Sequence, residues 1–470
     1  MVQPLHGPAR GGRIGWATGR SVAGRRRIFR GGGWVLRPAP GFGASSRTPA
    51  KSTEGGGRMS PRRKAAWLAA CGLGVASLLV LLVFPLVAAP ARVGTPYRIG
   101  FISSVTGPGA SLGAPERDVA RMFQERLERE GGVAGPDGVR HEVQILINDD
   151  QSRADVAASL ARRLIEQDQV HVLVGTTLSG PSLAIVPIAT ELRTPTISMA
   201  SARAIIEDPA TKRMRTWIFK PVPENLHSAA KQAEYLKGVG IDRVCHLYEN
   251  TAYGQDTFAS AKQEFAKAGI RILYGDSFDR FATEFPQVTR VRASGCQAVV
   301  IGSIPPAAAV INVAVAGRVG PRKIVHGHGA CSPDLIRTAG QAAEGTVMPC
   351  GKILVADQLP ANDPVRRVNL EFIAEYTRFT GGQPISTFAG HAYDALQWAL
   401  AGLRAVPDGQ PLPRVRELAR DAIERIRNYV GTHGIMTLSP EDHLGFDAKD
   451  FVIVTVQGGR FVLLPPNRWK

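Results

Sequence analysis

The sequence lacks the signatures of several enzyme classes. Its 470 residues contain neither a P-loop nor an HExxH zinc-protease motif. None of the five cysteines belongs to a C-x-x-C pair, which argues against thiol–disulfide catalysis and against a structural zinc site. The sequence therefore lacks these particular catalytic and metal-binding signatures.

Acidic residues are nearly absent from the first 91 residues, which hold 14 Lys/Arg and a single acid, Glu54. The rest of the chain keeps 43 of the 57 basic and 39 of the 40 acidic residues, a net charge of +4. The overall charge of +17 therefore belongs to the N-terminal segment. Because the body lacks the polycationic surface that nucleic-acid binding requires, no nucleic-acid partner is predicted.

The N-terminal segment divides into two parts. Residues 1–58 are rich in Gly, Arg and Pro, and are either disordered or the product of a start assigned too far upstream. Residues 59–91 have the organisation of a secretory signal peptide, with a basic stretch, an uncharged apolar run and an A-x-A cleavage site ending at Ala91. An uncleaved membrane anchor and lipidation at Cys71 are the alternatives.

Long apolar runs are absent beyond this leader, which predicts a soluble mature protein in the periplasm or another extracytoplasmic space. Four cysteines remain there, and an oxidising compartment permits disulfides. Cys245 lies in an apolar strand and is predicted to be a buried free thiol. Cys331 and Cys350 each follow a predicted strand, so a disulfide between them and two free thiols are both open.

Short apolar strands alternate with helical patterns along the mature chain. Strands are predicted in two series, at 97–102, 142–147, 171–175 and 195–199, and then at 243–248, 271–275, 297–302, 323–327 and 345–349. This rhythm predicts an α/β fold with parallel sheets covered by helices. Two lobes are favoured over one continuous sheet because single cores split beyond roughly 250–300 residues.

Local signals add detail to this pattern. The second helix is predicted at about 153–167 with Ser152 and Asp155 as its cap, and Gln457-Gly458-Gly459 is predicted to be a hairpin turn. The helical patterns from about residue 363 and the final strands cannot be assigned to either of the two series.

Neither a cofactor nor a metal is predicted. Gly107, Gly109 and Gly113 follow the first strand, but their spacing is one residue too long for a dinucleotide-binding turn. His326 and His328 form an HxH pair without further ligand candidates, which favours a residue of a ligand cleft or a structural histidine over a metal ligand.

Hydroxyl side chains follow two neighbouring strands of the first series. Ser179 lies between a strand and a helix, and Ser198 and Ser201 follow the next strand. Ligands bind at the carboxyl ends of strands in open α/β sheets, and a helix N-terminus favours an anion such as a carboxylate. The alternative, in which Ser179 or Ser182 simply caps its helix, is equally open at this point.

Eight segments, in this order along 97–460, make the chain resemble the periplasmic solute-binding proteins of ABC importers, in the branched-chain amino acid (Leu/Ile/Val-binding) family. They are GFISSVTGPGASLG (100–113), EREGGVAGPDG (128–138), NDDQS (148–152), VGTTLSGPSLAIVPIA (174–189), PTISMAS (195–201), YENTAYGQDTF (248–258), AGQAAEGTV (339–347) and FAGHAYDAL (388–396).

The resemblance implies the type I periplasmic binding protein fold, with two Rossmann-like lobes, a three-strand hinge and a ligand cleft between the lobes. The first lobe would take 97–219 with 351–437, and the second would take 220–350 with 438–470. These assignments would give the late helices and the final strands their places.

The resemblance also implies a set of ligand-binding residues. Ser179 matches the serine that holds the ligand carboxylate, Ser201 and Ala202 match the segment after the next strand, and Tyr253 matches a tyrosine that forms the cleft wall of the second lobe. The acid that pairs with the ligand's ammonium should lie near 305–308, where this chain has Pro-Pro-Ala-Ala. An unpaired buried ammonium costs several kcal/mol, which argues against a standard α-amino acid. His326 and His328 are added as residues that face the cleft.

The resemblance thus implies a monomeric binding protein, not an enzyme, that delivers a small carboxylate-type ligand to an ABC permease in the cytoplasmic membrane. The ligand would be like a branched-chain amino acid, an amide or an aromatic acid. A ligand-sensing receptor or regulator built on the same two lobes is the first alternative. An α/β enzyme is the second, and it would need a catalytic set that the sequence does not display.

Overall fold

A computed structural model describes residues 93–319 and 324–469. The signal peptide, the membrane anchor and the lipidation site predicted for the first 91 residues lie outside this range and stay predictions. These described residues form one compact unit. Among the described residues, no helix combines the length and the apolar character needed to cross a bilayer.

The first sheet is built from the first half of the α/β series. Its strands are β1 (Tyr97–Ser103), β4 (Val143–Asp149), β5 (Val172–Gly175), β6 (Thr196–Ile197) and β7 (Ile218–Phe219), and a small ribbon of β2 (Val133–Ala134) and β3 (Arg140–His141) precedes β4. Helices α1 (Ala110–Glu130), α2 (Ala154–Glu166) and α3 (Ser179–Glu191) connect them. The order is β4-β1-β5-β6-β7 and every pair is parallel. The strands are mostly apolar because helices cover both faces of the sheet.

The second sheet repeats this plan and adds two strands from the C-terminal part. Its strands are β8 (Arg243–Glu249), β9 (Arg271–Phe278), β10 (Ala298–Gly302), β11 (Ile324–His326), β12 (Val347–Cys350), β15 (Val452–Gln457) and β16 (Arg460–Leu463). Its helices are α4 (Asn225–Gly238), α5 (Ala252–Lys267), α6 (Gln287–Ala293), α7 (Ala307–Val319) and α8 (Pro333–Ala339). The order is β16-β15-β12-β11-β10-β8-β9, with β15 and β16 antiparallel to their neighbours.

The helices after residue 360 pack against the first sheet. They are α9 (Pro364–Phe379), α10 (Thr387–Arg404) and α11 (Leu412–Glu424), followed by a short ribbon of β13 (Tyr429–Val430) and β14 (Ile435–Met436). Leu396 and Trp398 of α10 are fully buried in the same core as Phe101 of β1 and Val119 of α1. The chain therefore passes between the two sheets three times, after β7, after β12 and before β15.

The predicted α/β fold with two lobes and mainly parallel sheets is confirmed. The alternative of one continuous sheet is wrong, because the strands of the two series form separate five-stranded and seven-stranded sheets. The residue boundaries of the lobes stay predictions.

Two local predictions have different outcomes. The hairpin is confirmed, since Gly458 and Gly459 join β15 to β16 with φ of 59° and 70°, as a two-residue turn of type I′ requires. The cap at Ser152 is wrong, because α2 begins after Arg153 and no side chain caps it. The Ser152 hydroxyl accepts from the N–H of Gly109 and donates to the carbonyl of Thr106, so it holds the loop after β1 instead.

All four cysteines of the described part form disulfides. Cys331 pairs with Cys350 at a Cα–Cα distance of 5.8 Å. Of the two possibilities left open by the sequence, the structure therefore has the disulfide and not two free thiols. Cys245 pairs with Cys296 at 5.6 Å, so the prediction of a free thiol is wrong. Cys245 lies on β8 and Cys296 lies just before the adjacent strand β10, which brings two residues 51 positions apart to neighbouring strands.

Candidate ligand-binding site

A cavity lies where the carboxyl ends of strands from both sheets meet, and it contains about 310 Å³ of space outside the protein atoms. It is lined by Leu112, Thr177, Leu178, Ser179, Met199, Ala200, Ser201, Val222, Tyr253, Ile304, His328, Gly329, Phe388 and His391. This space includes open solvent at the mouth of the cavity. Ligands bind at the carboxyl ends of strands in open α/β sheets, so the cavity is the candidate ligand site.

The first-sheet side of the cavity presents hydroxyls. Ser179 opens α3 directly after β5, and Ser201 follows β6. Neither hydroxyl has a hydrogen-bond partner among the described residues, although both serines are buried. The α3 N-terminus adds N–H groups and a positive dipole end. This corner can hold a carboxylate.

The capping alternative for the two serines of α3 is not what the structure shows. The N-cap of α3 is Leu178, and no side chain bonds the first turn there. Ser182 is held by Thr176 and by the Ser198 hydroxyl at 2.9 Å, inside the fold. Ser179 alone faces the cavity, which leaves its hydroxyl available to a ligand.

A buried lysine fixes the backbone beside Ser201. The Lys220 ammonium donates to the carbonyls of Ser201 (2.7 Å) and Ala202 (3.3 Å) and lies 3.6 Å from Glu224. Burial lowers the pKa of Lys220, and Glu224 opposes that shift. Ala202 itself is packed in the core of the first lobe and does not line the cavity.

Tyr253 and His328 line the cavity from the second-sheet side. The Tyr253 hydroxyl accepts from the N–H of Gly329 at 3.0 Å, and the two aromatic rings meet edge to face at 6.2 Å. Burial raises the pKa of Tyr253, so its phenol stays protonated. Burial lowers the pKa of His328 to about 3, so this imidazole is neutral at pH 7.

His326 lies behind this wall. Its Nε2 is 2.9 Å from the Asn312 side-chain oxygen, and its carbonyl accepts from Gln232. The ring therefore has a structural partner between β11 and α7 and does not line the cavity. Of the six residues predicted from the sequence, the cavity lining includes Ser179, Ser201, Tyr253 and His328.

Several lining residues were missed by the sequence interpretation. Leu112, Leu178 and Phe388 pack against Tyr253 and Ile304 in one apolar cluster formed by both lobes. His391 on α10 lies in the quoted segment FAGHAYDAL, but nothing in the local pattern brings α10 to the strand ends. The motif that contains His391 was recognised, but its position beside the cavity could not be predicted from the sequence.

No acidic side chain is among the residues that line the cavity. Residues 305–308 are the turn before α7 and the first two residues of that helix, and the carbonyl of Pro305 accepts from the Ser111 hydroxyl at 3.1 Å. Glu116 lies behind Thr177, which donates a hydrogen bond to it. Burial raises the pKa of Glu116 well above its ordinary value, which disfavours the charged form of this carboxyl. An ammonium in the cavity would thus lack a lining carboxylate.

The segment Gly109–Gly113 matches the G-x-S-x-G pattern of a nucleophile elbow. Ser111 lies inside α1, and its hydroxyl contacts Pro305 across the cleft. A Cβ on Gly113 would lie 2.2 Å from the carbonyl oxygen of Ser104, so close backbone packing explains this glycine. The residues described form no cluster of three His, Cys, Asp or Glu that could hold a metal.

Comparison with known proteins agrees with this geometry. Residues 96–460 match the family described as periplasmic binding protein. An extracellular ligand-binding receptor from Rhodopseudomonas palustris HaA2 is 26% identical with a TM-score of 0.71, over 78% of this chain and 99% of that one.

Two curated relatives are named for amino acid binding. The Leu/Ile/Val-binding protein homolog 3 of Brucella melitensis is 22% identical over 67% of this chain and 84% of its own. An amino acid binding protein of Pseudomonas aeruginosa is 23% identical over 54% of this chain, and the match spans 66% of that relative's length. The chain therefore belongs to the periplasmic binding protein family, and its relatives there include Leu/Ile/Val-binding proteins.

Proposed function

We propose that this protein is an extracytoplasmic solute-binding protein that delivers a small carboxylate to an ABC permease. The observation that carries the proposal is the pair of unpartnered hydroxyls, Ser179 and Ser201, at the carboxyl ends of β5 and β6 beside the α3 N-terminus. Such a corner binds anions through hydroxyl and N–H donors. Membership of the periplasmic binding protein family supports the transport role.

The ligand is proposed to lack a free ammonium group. A ligand ammonium would be removed from water in a cavity whose lining holds no carboxylate, at a cost of several kcal/mol. Leucine, isoleucine and valine carry such an ammonium, whereas amides and organic acids without an amino group do not. This chemistry separates the present chain from its relatives that are named for Leu/Ile/Val binding.

Closure of the lobes is proposed to complete the site. Ser111 reaches Pro305 across the cleft, and the apolar cluster around Tyr253 takes side chains from both lobes. These contacts exist only while the lobes are together, so a ligand that touches both walls shifts the open–closed equilibrium towards the closed form. The closed form would then dock on the permease.

Isothermal titration tests the proposal on the compact unit from Ala88 onward. We expect saturable binding of one or more small acids or amides and much weaker binding of leucine and isoleucine. Tight binding of leucine would contradict the argument from the missing acid. Chemical conversion of the ligand would point to an enzyme instead.

A sensory receptor is the second candidate, because the structural relative from Rhodopseudomonas palustris is named an extracellular ligand-binding receptor. The two roles differ in the cell. Loss of the gene should abolish uptake of the radiolabelled ligand if the protein serves an importer. Unchanged uptake with loss of a response to the ligand would favour the receptor.

A further inference from the structure

His391 is a buried polar residue that the protein leaves without partners. Its side chain is 1% exposed, it lines the cavity, and neither ring nitrogen has a hydrogen-bond partner. A neutral imidazole carries one donor and one acceptor. Burying both without partners is unfavourable, so a group outside the protein is expected to meet them when the cavity is filled.

The neighbours of His391 hold its ring but offer it no hydrogen bond. The ring lies 4.7 Å from the His433 ring and meets Phe388 edge to face at 5.3 Å. Asp394, one turn further along α10, accepts from the N–H and the hydroxyl of Thr432 and from Tyr429. The Asp394 carboxylate therefore bonds residues of the segment after α11 and is not a partner of His391.

A second imidazole reaches the same cavity from the other lobe. His328 follows β11 and is 2% exposed, and its Nδ1 also lacks a partner. Tyr253 and Phe451 pack against its ring at 6.2 Å and 5.6 Å. Two imidazoles, one from each lobe, therefore contribute to the lining on elements distinct from those of Ser179 and Ser201.

We propose that His391, together with His328, recognises a hydroxyl group on the ligand, which makes hydroxylated carboxylic acids the preferred ligand class. This inference rests on the proposed carboxylate-binding function. A hydroxyl both donates and accepts, so it can bond two imidazoles at once, whereas an aliphatic side chain would leave their nitrogens unpaired. Sites built to bond a hydroxyl discriminate strongly against analogues that lack it.

Matched pairs of acids test the preference by isothermal titration. The probes are benzoate with its 2-, 3- and 4-hydroxy derivatives, and butanoate with its 2-, 3- and 4-hydroxy derivatives. At least one hydroxylated acid should bind about 10- to 100-fold more tightly than its parent. If every parent acid binds as tightly as its derivatives, the inference fails while the proposed function stands. If no carboxylate binds, the proposed function fails and the inference fails with it.

His391→Phe identifies the residue responsible, because phenylalanine keeps a ring and removes both nitrogens. The affinity ratio between the hydroxylated acid and its parent should fall by about 3- to 10-fold, because one neutral hydrogen bond is lost while the bond from His328 remains. Without ligand, this variant should unfold at a higher temperature than the parent protein, because two unpaired buried nitrogens are gone. His246→Phe is the matched control, since His246 is a buried histidine of β8 outside the cavity lining, and its ratio should equal that of the parent protein. An unchanged ratio in His391→Phe would overturn the inference.

Discussion

Ser179 and Ser182 lie on the same turn of α3 and have different roles. The Ser182 hydroxyl is bonded to Thr176 and Ser198, so it joins the ends of β5 and β6. The Ser179 hydroxyl has no partner among the described residues and faces the cavity. At the scale of a single residue, the difference between a structural hydroxyl and a ligand-binding one is whether its hydrogen-bonding capacity is already used.

Ser179→Ala is expected to weaken binding of a carboxylate ligand by about 1.5–3 kcal/mol, the range for a hydrogen bond to a charged group. Isothermal titration of variant and parent protein measures the loss. Ser159→Ala is the control, because Ser159 is exposed on α2 and donates to the carbonyl of Asp155. Equal affinity in Ser179→Ala would mean that the hydroxyl does not bind the ligand.

Buried histidines predict that acid destabilises the fold. Burial lowers the pKa of His246 to about 3, whereas an unfolded histidine titrates near 6.5. Below pH 6.5 the unfolded chain therefore binds a proton that the native state does not. The resulting stability is complete above pH 6.5 and is lost as the pH falls towards 3, by about 1.4 kcal/mol per pH unit for this one residue.

His246→Phe should make the slope of unfolding free energy against pH shallower by that amount between pH 6.5 and 4.5. Urea unfolding at a series of pH values measures it. Other titrating groups, such as Glu116, whose pKa is raised by burial, contribute equally to the slopes of both proteins and drop out of the difference. Parallel pH profiles for the two proteins would show that His246 is protonated in the fold.

At the scale of elements, the disulfides connect segments that the chain order separates. Cys245–Cys296 joins β8 to the start of β10, and Cys331–Cys350 joins the end of β11 to the end of β12. Both bonds lie in the second lobe, among its buried clusters around β10 and β12. Each one restricts the unfolded chain by closing a loop.

Removal of each disulfide by paired Cys→Ala substitution should lower the unfolding free energy. The loops span 51 and 19 positions, and loop-closure entropy predicts losses of about 4 and about 3 kcal/mol. Urea unfolding of Cys245→Ala/Cys296→Ala and of Cys331→Ala/Cys350→Ala checks both values. A protein with all four substitutions is the control, because dithiothreitol should not change its midpoint. No effect of dithiothreitol on the parent protein would contradict the disulfides.

Element types and approximate bounds followed from the sequence, whereas the long-range partners of individual side chains did not. The helix predicted at 153–167 spans Ala154–Glu166, because its apolar periodicity is local. Its cap was wrong because the Ser152 hydroxyl is used by Gly109 and Thr106, which come from a loop some 43 to 46 residues earlier. A pattern within one segment carries no information about which other segment competes for its side chains.

At the scale of the whole molecule, the cavity exists because three chain crossings hold two lobes face to face. The crossings follow β7 and β12 and precede β15. Lys220 lies at the first crossing, where it bonds the backbone beside Ser201 and approaches Glu224. The ligand corner and the hinge thus share one charged network, in which Lys220 and Glu224 are buried and the partly exposed Arg203 also pairs with Glu224.

Ligand binding should stabilise and compact the protein together. At a free ligand concentration of 100 times the dissociation constant, linkage predicts about 2.7 kcal/mol of added stability. Small-angle scattering should show a smaller radius of gyration with ligand than without it. Bovine serum albumin titrated with the same ligand controls for changes in the buffer. Added stability with an unchanged radius would mean that closure does not accompany binding.

Local patterns in the chain are enough to predict the alternation of strands and helices, the hairpin at Gly458-Gly459 and the position of Ser179 after a strand. These features depend on residues close together in the chain, because periodicity and turn chemistry act over short distances. Long-range packing, by contrast, pairs β15 with β12, brings Cys245 to Cys296 and places His391 and Ser179 in one cavity. Those contacts join residues from 51 to more than 200 positions apart, and only the packing of the lobes brings them together.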